Sequence, residues 1–289
     1  MKVCGFSFIR NAVKFSYPVV EAIQSILPVC DRFIVSVGNS EDKTLELIRS
    51  IPSDKIEIFE SFWDDRLNNQ GEVLSVETNK AYDSIPDDYD WAFYIQADEV
   101  IHEKYHASVQ HAMEEWLDHP EVEGLLFRYK HFYGSYDYNA DSRSWYRKEI
   151  RIVRNDKNIR SFKDAQGFRI HGRKLRVKPA EATMYHYGWV RSPQIMQQKN
   201  LNFSKLYHRE EWVDRKLNNS RLFNYSQVES IARFTGTHPA IMQERIRQQD
   251  WDVELDEKKK SYKPSDRILY WIERQTGRRL FEYQNYKEI

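Results

Sequence analysis

Two adjacent carboxylates, Asp98 and Glu99, follow closely on an apolar run of the sequence, WAFYIQ at positions 91–96. Carboxylate oxygens are the ligands that hard divalent cations prefer, and such a cation can bridge a protein to the phosphates of a nucleotide diphosphate. It would also stabilise the negative charge that develops on a departing diphosphate. The pattern therefore indicates a metal-dependent site of group transfer. The alternative is that the two carboxylates only cap a helix beginning near Glu103.

The elements that must position these carboxylates can be read from the first hundred residues. We predict strands at 3–9, 32–37, 55–59 and 91–96 and helices at 17–26, 40–51 and 72–82. This alternation predicts a mostly parallel sheet with helices on both faces, and ligands of such sheets bind beyond the carboxyl ends of the strands. Polar residues stand at those ends: Arg10, Asn11, Asn39, Ser40, Asp64, Gln96, Asp98 and Glu99. We expect them to gather at one edge of the sheet.

The later part of the chain has a different pattern. Between 122 and 177, longer apolar runs separated by turns predict antiparallel additions to the sheet. Beyond Ser192 we predict helices at 192–207, around Trp212, at 239–249 and at 265–276. The prediction is an α/β fold with a catalytic domain over 1–190 and a helical region over 191–289. That region would cover the acceptor side of the site or form an oligomer contact.

The composition narrows the class of protein. Over 289 positions, 44 Lys and Arg residues balance 44 Asp and Glu residues, so no net charge attracts the chain to nucleic acid or to an anionic membrane. The only cysteines, Cys4 and Cys30, lie in apolar stretches, which argues against a disulfide framework or a zinc site. The N-terminal apolar run is broken by Arg10 and Asn11, and no run reaches the roughly 18 apolar residues that a membrane-spanning helix needs. We therefore expect a cytoplasmic enzyme without signal peptide or transmembrane segment.

Three segments of the first hundred residues resemble family 2 glycosyltransferases of the GT-A fold. They are FSFIRN at the first strand, CDRFIVSVGNSEDKT at the second and WAFYIQADE at the fourth. The last is similar to a bacterial branch whose strand reads W-x-x-x-x-D-A-D-E, with Gln96 in place of the first acidic residue of the D-x-D motif. Gly38, Asn39 and Ser40 stand where the family has D-x-G-S.

The resemblance implies a GT-A-like sheet and an activity. The activity would be inverting transfer of a sugar from a uridine or guanosine diphosphate sugar, with Mn²⁺ or Mg²⁺, in bacterial surface glycan assembly. The acceptor would be a glycan or a lipid-linked molecule, and a lipid-linked acceptor would require peripheral contact with a membrane. The sugar, the acceptor and the oligomeric state do not follow from the resemblance.

By the same resemblance, Asp98 and His186 are the metal ligands. The donor-binding residues that the resemblance implies are Asn11, Asn39, Ser40, Asp42 and Gln96. Positive charges that can meet the donor phosphates add Lys80, Arg191 and Lys199 to this set. Several have an ordinary structural alternative. Asp42 can stabilise the first turn of a helix, Lys80 can be solvated on a helix surface, and His186 can be an interior histidine beside a strand end.

An inverting transfer needs a general base that removes the proton of the acceptor hydroxyl. Asp164, just before Ala165, is our first candidate and Glu149 the second, and the alternative for Asp164 is a turn residue. Two rival functions stay open. A nucleotidyltransferase would usually carry a glycine-rich basic loop, which does not follow Ile9. A sugar-nucleotide or glycan-binding protein without transferase activity is suggested by Gln96 and Asn39.

Overall fold

The computed structural model describes residues 1–64, 66–67, 71–207, 221–262 and 264–289. The helix predicted around Trp212 lies outside these residues. Among the helices that are described, none combines the length and the apolar character needed to cross a lipid bilayer. Both cysteine side chains are buried as free thiols, as their apolar surroundings in the sequence predict.

Four parallel strands form the first half of the main sheet. They are β1 Val3–Ile9, β2 Arg32–Gly38, β3 Ile56–Ser61 and β4 Trp91–Tyr94. Their spatial order is β4-β1-β2-β3, and Phe6 of β1 lies opposite Ile34 of β2 and Tyr94 of β4. Strands β1, β2 and β4 are apolar runs that a parallel sheet can bury on both faces, whereas β3 forms the partly exposed edge. The predicted parallel sheet is confirmed.

Helices cover both faces of this sheet. They are α1 Val19–Ile26, α2 Thr44–Arg49, α3 Glu72–Asp83 and α4 His106–Glu115. Helices α1, α2 and α4 pack on one face with Phe33 and Phe93, and α3 packs on the other face with Ile34. Full burial of a side chain such as Phe33 stabilises the fold by about 1.5–3 kcal/mol. These two apolar layers hold the carboxyl ends of the strands in place.

Later strands extend the sheet with mixed direction. They are β5 Glu99–Ile101, β6 Gly124–Tyr133, β7 Tyr138–Ala140, β8 Lys148–Arg154, β9 Ile159–Phe162, β10 Gly167–Ile170, β11 Arg173–Lys174, β12 Arg176–Trp189, β13 Ile231–Arg233 and β14 Lys287–Glu288. Strand β8 lies antiparallel between β4 and β6, and β12 pairs parallel with β6 and antiparallel with β5. Strands β9, β10 and β11 form a separate small sheet. The predicted α/β class with antiparallel additions is therefore confirmed.

The region after residue 190 contains α5 Pro193–Lys205, the short α6 Gln243–Arg247 and α7 Pro264–Thr276. It is not purely helical, because β13 pairs with β7 and β14 pairs with β12. Both strands thus join the main sheet built by the first 190 residues. The division into 1–190 and 191–289 stays a prediction.

Candidate functional site

A cavity of about 260 Å³ opens at the carboxyl ends of β1 and β4. It lies where the strand order predicts a ligand crevice. Six of the predicted site residues line it: Asn11, Gln96, Asp98, Asp164, His186 and Lys199. Aromatic side chains supply further parts of the wall: Phe15, Tyr17, Trp63, Trp189 and Phe203. The fold therefore brings together residues from the first strand, the β4–β5 connection, the end of β12 and helix α5.

Asp98 lies between β4 and β5 and is 8% exposed. Its Oδ2 accepts a hydrogen bond from Lys199 Nζ at 3.2 Å, and Lys199 also donates to the Gly188 carbonyl at 2.8 Å. Burial by itself raises the pKa of Asp98, but the positive charges of Lys199 and Arg191 and the neighbouring His186 outweigh it and hold the pKa below its ordinary value. Burial lowers the pKa of Lys199 to about 8. At neutral pH the cavity therefore holds a carboxylate beside an ammonium group.

His186 stands on the other side of the same carboxylate. Its Nε2 lies 3.8 Å from Asp98 Oδ1, and its Nδ1 lies 3.0 Å from Nδ1 of His131. Burial lowers the pKa of His186 to about 4, so the ring is neutral at neutral pH. Gly188 keeps this space open, since a Cβ at that position would lie 2.4 Å from His186 Nε2 and 2.9 Å from Asp98 Oδ2.

The geometry of Asp98 and His186 fits a divalent cation with few protein ligands. Within the part of the chain that the structure describes, no three His, Cys, Asp or Glu side chains come close enough to form a full metal cage. Two ligands that each lie about 2.1 Å from one cation can be at most about 4.2 Å apart, and 3.8 Å separates Asp98 Oδ1 from His186 Nε2. Mg²⁺ is commonly held by one or two carboxylates together with substrate phosphates and water. The donor set therefore suits a cation that arrives with a diphosphate.

Gln96 and Asp164 form a second part of the wall. Gln96 Nε2 donates to the Tyr94 hydroxyl at 3.3 Å and to the Ala165 carbonyl at 3.4 Å, which ties the end of β4 to the turn that carries Asp164. That turn has positive φ on both sides of Asp164, 56° at Lys163 and 60° at Ala165. Such conformations are costly without glycine and persist only where the surroundings fix them. Asp164 accepts a hydrogen bond from the Tyr207 hydroxyl at 3.4 Å and stays in contact with the cavity.

Glu99 does not share the position of its neighbour, and the expectation that both carboxylates face the crevice is wrong. Strand β5 begins at Glu99, and successive side chains of an extended chain point to opposite sides. Glu99 accepts from Arg151 Nε at 2.8 Å and Arg151 Nη2 at 2.7 Å, and from the Tyr129 hydroxyl at 2.7 Å. Both charged side chains are fully buried, so this pair belongs to the interior.

The loop after β2 supports the cavity wall rather than lining it. Asn39 Oδ1 accepts from the main-chain N–H of Trp63 at 3.1 Å, and Ser40 Oγ accepts from that of Asn11 at 3.0 Å. Asp42 accepts from the main-chain N–H of Thr44, the first residue of α2, at 3.0 Å, so it supports the start of that helix, although the N-cap position belongs to Lys43. Asn11 itself lines the cavity with positive φ, 57°. Direct donor contact by Asn39, Ser40 and Asp42 stays a prediction that this placement does not favour.

Three further predicted residues lie outside the cavity lining. Lys80 donates to Glu77 at 2.6 Å and to the Phe62 carbonyl at 3.2 Å on a partly exposed helix face. Arg191 is 1% exposed and donates to main-chain carbonyls, including that of Phe15 at 2.6 Å. Its guanidinium therefore ties the segment after β12 to the chain near Phe15, and its charge lowers the pKa of Asp98.

Glu149 is the third residue outside the lining, and it is 3% exposed. Burial raises its pKa to about 8, since the opposing effects of Arg151 and of a hydrogen bond with Asn285 are smaller. A buried carboxyl that keeps its proton at neutral pH and does not border the cavity is not placed to act as a base there. The structure thus favours Asp164 over Glu149.

Several lining residues were missed in the sequence. Helix α5 presents Met196, Lys199, Asn200 and Phe203 to the cavity, and only Lys199 was selected. Their spacing, i, i+3, i+4 and i+7, marks one face of a helix and was a usable signal. His131 left no such signal, because its contact with His186 depends on the pairing of β6 with β12.

Comparison with known proteins leaves the family unassigned. No family model and no curated protein matches the chain. Among solved structures, the chain is similar to S. aureus TarS, with 14% identity and a TM-score of 0.40, over 74% of this chain and 42% of that protein. It thus spans about two fifths of the length of TarS.

Two further similarities are of the same order. The 1–349 portion of S. aureus TarS in complex with UDP gives 14% identity and a TM-score of 0.38, over 75% of this chain and 70% of that one. Glucosyl-3-phosphoglycerate synthase from Mycobacterium tuberculosis, in complex with Mn²⁺, UDP and phosphoglyceric acid, gives 19% identity and a TM-score of 0.29, over 46% of this chain and 43% of that one. Similarity at this level assigns no activity.

Proposed function

We propose that the protein is a glycosyltransferase that takes a sugar from a nucleotide-diphosphate sugar, with Mn²⁺ or Mg²⁺ as cofactor. The observation that carries the proposal is the position of Asp98. It lies at the carboxyl end of β4, inside the cavity, with His186 and Lys199 on either side. The sequence resemblance to family 2 glycosyltransferases supports the same reading of this segment.

Asp98 and His186 would hold the cation, which when bound supplies positive charge against the leaving diphosphate. Lys199 adds a second positive charge, because its ammonium group lies beside Oδ2, the other oxygen of Asp98. Its ammonium is oriented by the Gly188 carbonyl and by Asp98, so little reorganisation is needed to meet a phosphate oxygen. A buried site strengthens such interactions because water does not screen them.

Asp164 is the proposed general base. It borders the same cavity as Asp98, in a turn fixed to β4 through Gln96. A carboxylate there could take the proton of an acceptor hydroxyl while that oxygen attacks the anomeric carbon, which is the arrangement inversion requires. Trp189 and Phe203 offer flat apolar faces of the kind that pack against sugar rings or a nucleobase.

The finer assignments rest on the sequence resemblance. A uridine or guanosine donor, a glycan or lipid-linked acceptor and surface glycan assembly are proposed on that ground. A cytoplasmic location is proposed instead from the balanced charge of the sequence. An acceptor on a lipid would bring the protein to a membrane surface.

Thermal unfolding with UDP or GDP, with and without Mn²⁺, tests the proposal. The expected result is stabilisation only when nucleotide and cation are both present, by about 2.7 kcal/mol at a ligand concentration 100 times the dissociation constant. A chelator should remove it. Equal stabilisation by the nucleotide in chelator would contradict the bridging cation and leave Lys199 as the phosphate ligand. The control variant is Lys80→Met, which replaces a lysine outside the cavity. It should bind nucleotide and cation like the unaltered protein.

A second candidate is a nucleotide-sugar-binding protein without transfer activity. It is favoured by the Lys199–Asp98 ion pair, which already neutralises the carboxylate, and by the uncharged Gln96 at the first motif position. Release of free sugar from UDP- or GDP-sugars separates the two candidates. Binding with no hydrolysis and no transfer to any acceptor would support the second.

A further inference from the structure

His131 is a buried histidine that the proposed mechanism does not use. It lies on β6 directly opposite His186 on the parallel strand β12, so both rings project from the same face of the sheet. Aromatic rings enclose it: Tyr129 at 5.5 Å, Trp145 at 5.0 Å and Tyr146 at 4.5 Å between ring centroids. The ring is 3% exposed. Its orientation is therefore fixed by packing as well as by hydrogen bonds.

The two nitrogens of His131 have different partners, and these partners determine where its proton sits. Nε2 lies 2.7 Å from the Tyr146 carbonyl, which can only accept a hydrogen bond, so Nε2 carries the proton. Burial disfavours the doubly protonated, charged ring. The Nδ1 of a neutral His131 is then an acceptor. It lies 3.0 Å from Nδ1 of His186, which must be the donor.

The consequence falls on His186. A neutral imidazole carries one proton, so the proton on Nδ1 leaves a lone pair on Nε2. Nε2, which carries that lone pair, lies 3.8 Å from Asp98 Oδ1. This distance is too long for a hydrogen bond between the two groups. A lone pair and a carboxylate that share a gap of this size are complementary to a cation placed between them.

We propose that His131 is the positioning residue that fixes the Nδ1–H tautomer of His186 and so presents its Nε2 to a divalent cation. The cation itself rests on the proposed function. Hydrogen bonds to the outer nitrogen of a metal-binding histidine fix the tautomer and the ring orientation. Here the outer partner is a second histidine, which is in turn fixed by a main-chain carbonyl.

The first test is a long-range ¹H–¹⁵N spectrum of the ¹⁵N-histidine protein, without metal and without substitution. We expect the His186 proton on Nδ1 and the His131 proton on Nε2. Addition of Mg²⁺ with UDP should shift the Nε2 resonance of His186 more than its Nδ1 resonance. A proton on Nε2 of His186 would overturn the inference.

The second test is calorimetric titration of Mn²⁺ into the protein saturated with UDP. His131→Phe keeps a ring among the same aromatic neighbours but removes the acceptor, and should weaken Mn²⁺ binding by about 10–100-fold. His131→Asn offers an amide oxygen close to the position of Nδ1 and should recover most of that loss. The control is His238→Phe, which removes a half-buried histidine that bonds Tyr187 and the Tyr136 carbonyl outside the cavity, and should leave binding unchanged.

The outcomes separate this inference from the proposed function. Unchanged Mn²⁺ affinity in a folded His131→Phe protein would refute the positioning role while leaving the cation site in place. If the unaltered protein binds no Mn²⁺ with UDP, the metal part of the proposed function fails. The tautomer spectrum still decides whether His131 sets the state of His186.

Discussion

Asp98 and Glu99 are neighbours in the chain but belong to two different regions of the molecule. Glu99 is in the interior, where Arg151 and Tyr129 bind both of its oxygens and the Gln96 main-chain N–H adds another hydrogen bond at 3.1 Å. Asp98 is at the cavity, where Lys199 approaches one oxygen and the other faces a histidine that is too far away to bond. Both oxygens of Glu99 therefore have hydrogen-bond partners in the interior, whereas Oδ1 of Asp98 faces the cavity without a hydrogen bond to His186.

This difference separates stability from function. A buried ion pair with all its hydrogen bonds made has nothing left to offer a ligand, and breaking it leaves an uncompensated charge. A carboxylate with an unused oxygen beside an open space can bind a cation without first giving up other partners. Two adjacent acidic residues in a motif can therefore have opposite roles, and the following predictions test that contrast.

The largest effect is expected on activity from Asp98→Asn. Sugar transfer to acceptor should fall below detection, since the change removes a cation ligand worth several kcal/mol in the transition state. The free energy of unfolding, from urea denaturation, should change by less than about 2 kcal/mol because Lys199 keeps its bond to a carbonyl. Gln96→Ala should lower sugar transfer less than Asp98→Asn does. Near-normal turnover in Asp98→Asn would remove the cavity from consideration as the active site.

Arg151→Met should have the opposite profile. It leaves Glu99 buried without its charge partner, which typically costs about 3–5 kcal/mol of unfolding free energy. Urea denaturation measures this. The control is Arg128→Met, which breaks an exposed ion pair with Glu181 and should cost less than about 1 kcal/mol. If Arg151→Met and Asp98→Asn destabilise the protein equally, the contrast between the two regions is lost.

Asp164→Asn should lower turnover about 10²–10⁴-fold while metal-dependent nucleotide binding stays intact, because a general base acts on the acceptor proton rather than on the bound donor. Glu149→Gln is the matched control, a buried carboxyl outside the cavity lining, and should leave turnover near normal. Steady-state kinetics and nucleotide binding measure the two quantities. If Glu149→Gln lowers turnover and Asp164→Asn does not, Glu149 is the base. If both variants fold and keep normal turnover, the base is another residue.

The last prediction concerns the pH dependence of stability that Glu149 causes. Its folded pKa of about 8 lies above the ordinary 4.5, so between these values the folded protein binds more protons than the unfolded chain. The stability from this group is present below pH 4.5 and is lost as pH rises towards 8, by at most about 1.4 kcal/mol per pH unit. Glu149→Gln should remove this slope and gain stability relative to the unaltered protein between pH 5 and pH 8. If urea denaturation gives the same dependence of unfolding free energy on pH for Glu149→Gln and the unaltered protein, this prediction is contradicted.

Much of the parallel half was predictable because its signals are local. Apolar runs bounded by polar residues predict β1 and β2 to within one residue, whereas β4 ends at Tyr94, two residues before its predicted end. The sequence predicts helix α2 from Ser40, whereas it begins at Thr44, because residues 40–43 are non-helical and Asp42 accepts a hydrogen bond from the Thr44 main-chain N–H. Strands β13 and β14 have three and two residues, too few for any periodicity to show.

The site was predictable only in part, for a related reason. Asp98, His186 and Lys199 were selected for their chemistry, and the fold brings them together. The burial of Glu99 and the contact of His131 with His186 depend on the pairing of strands that are far apart in the chain. Residue type alone does not show which of two neighbouring carboxylates receives an interior partner.

Gly188 has a consequence for engineering which ligands this cavity can accept. Any side chain there would enter the space between His186 and Asp98, so a library that randomises the cavity should leave this position fixed. The same cavity is bordered by Trp189, Asn200, Asn202 and Phe203, which are the positions at which a change of ligand preference can be sought.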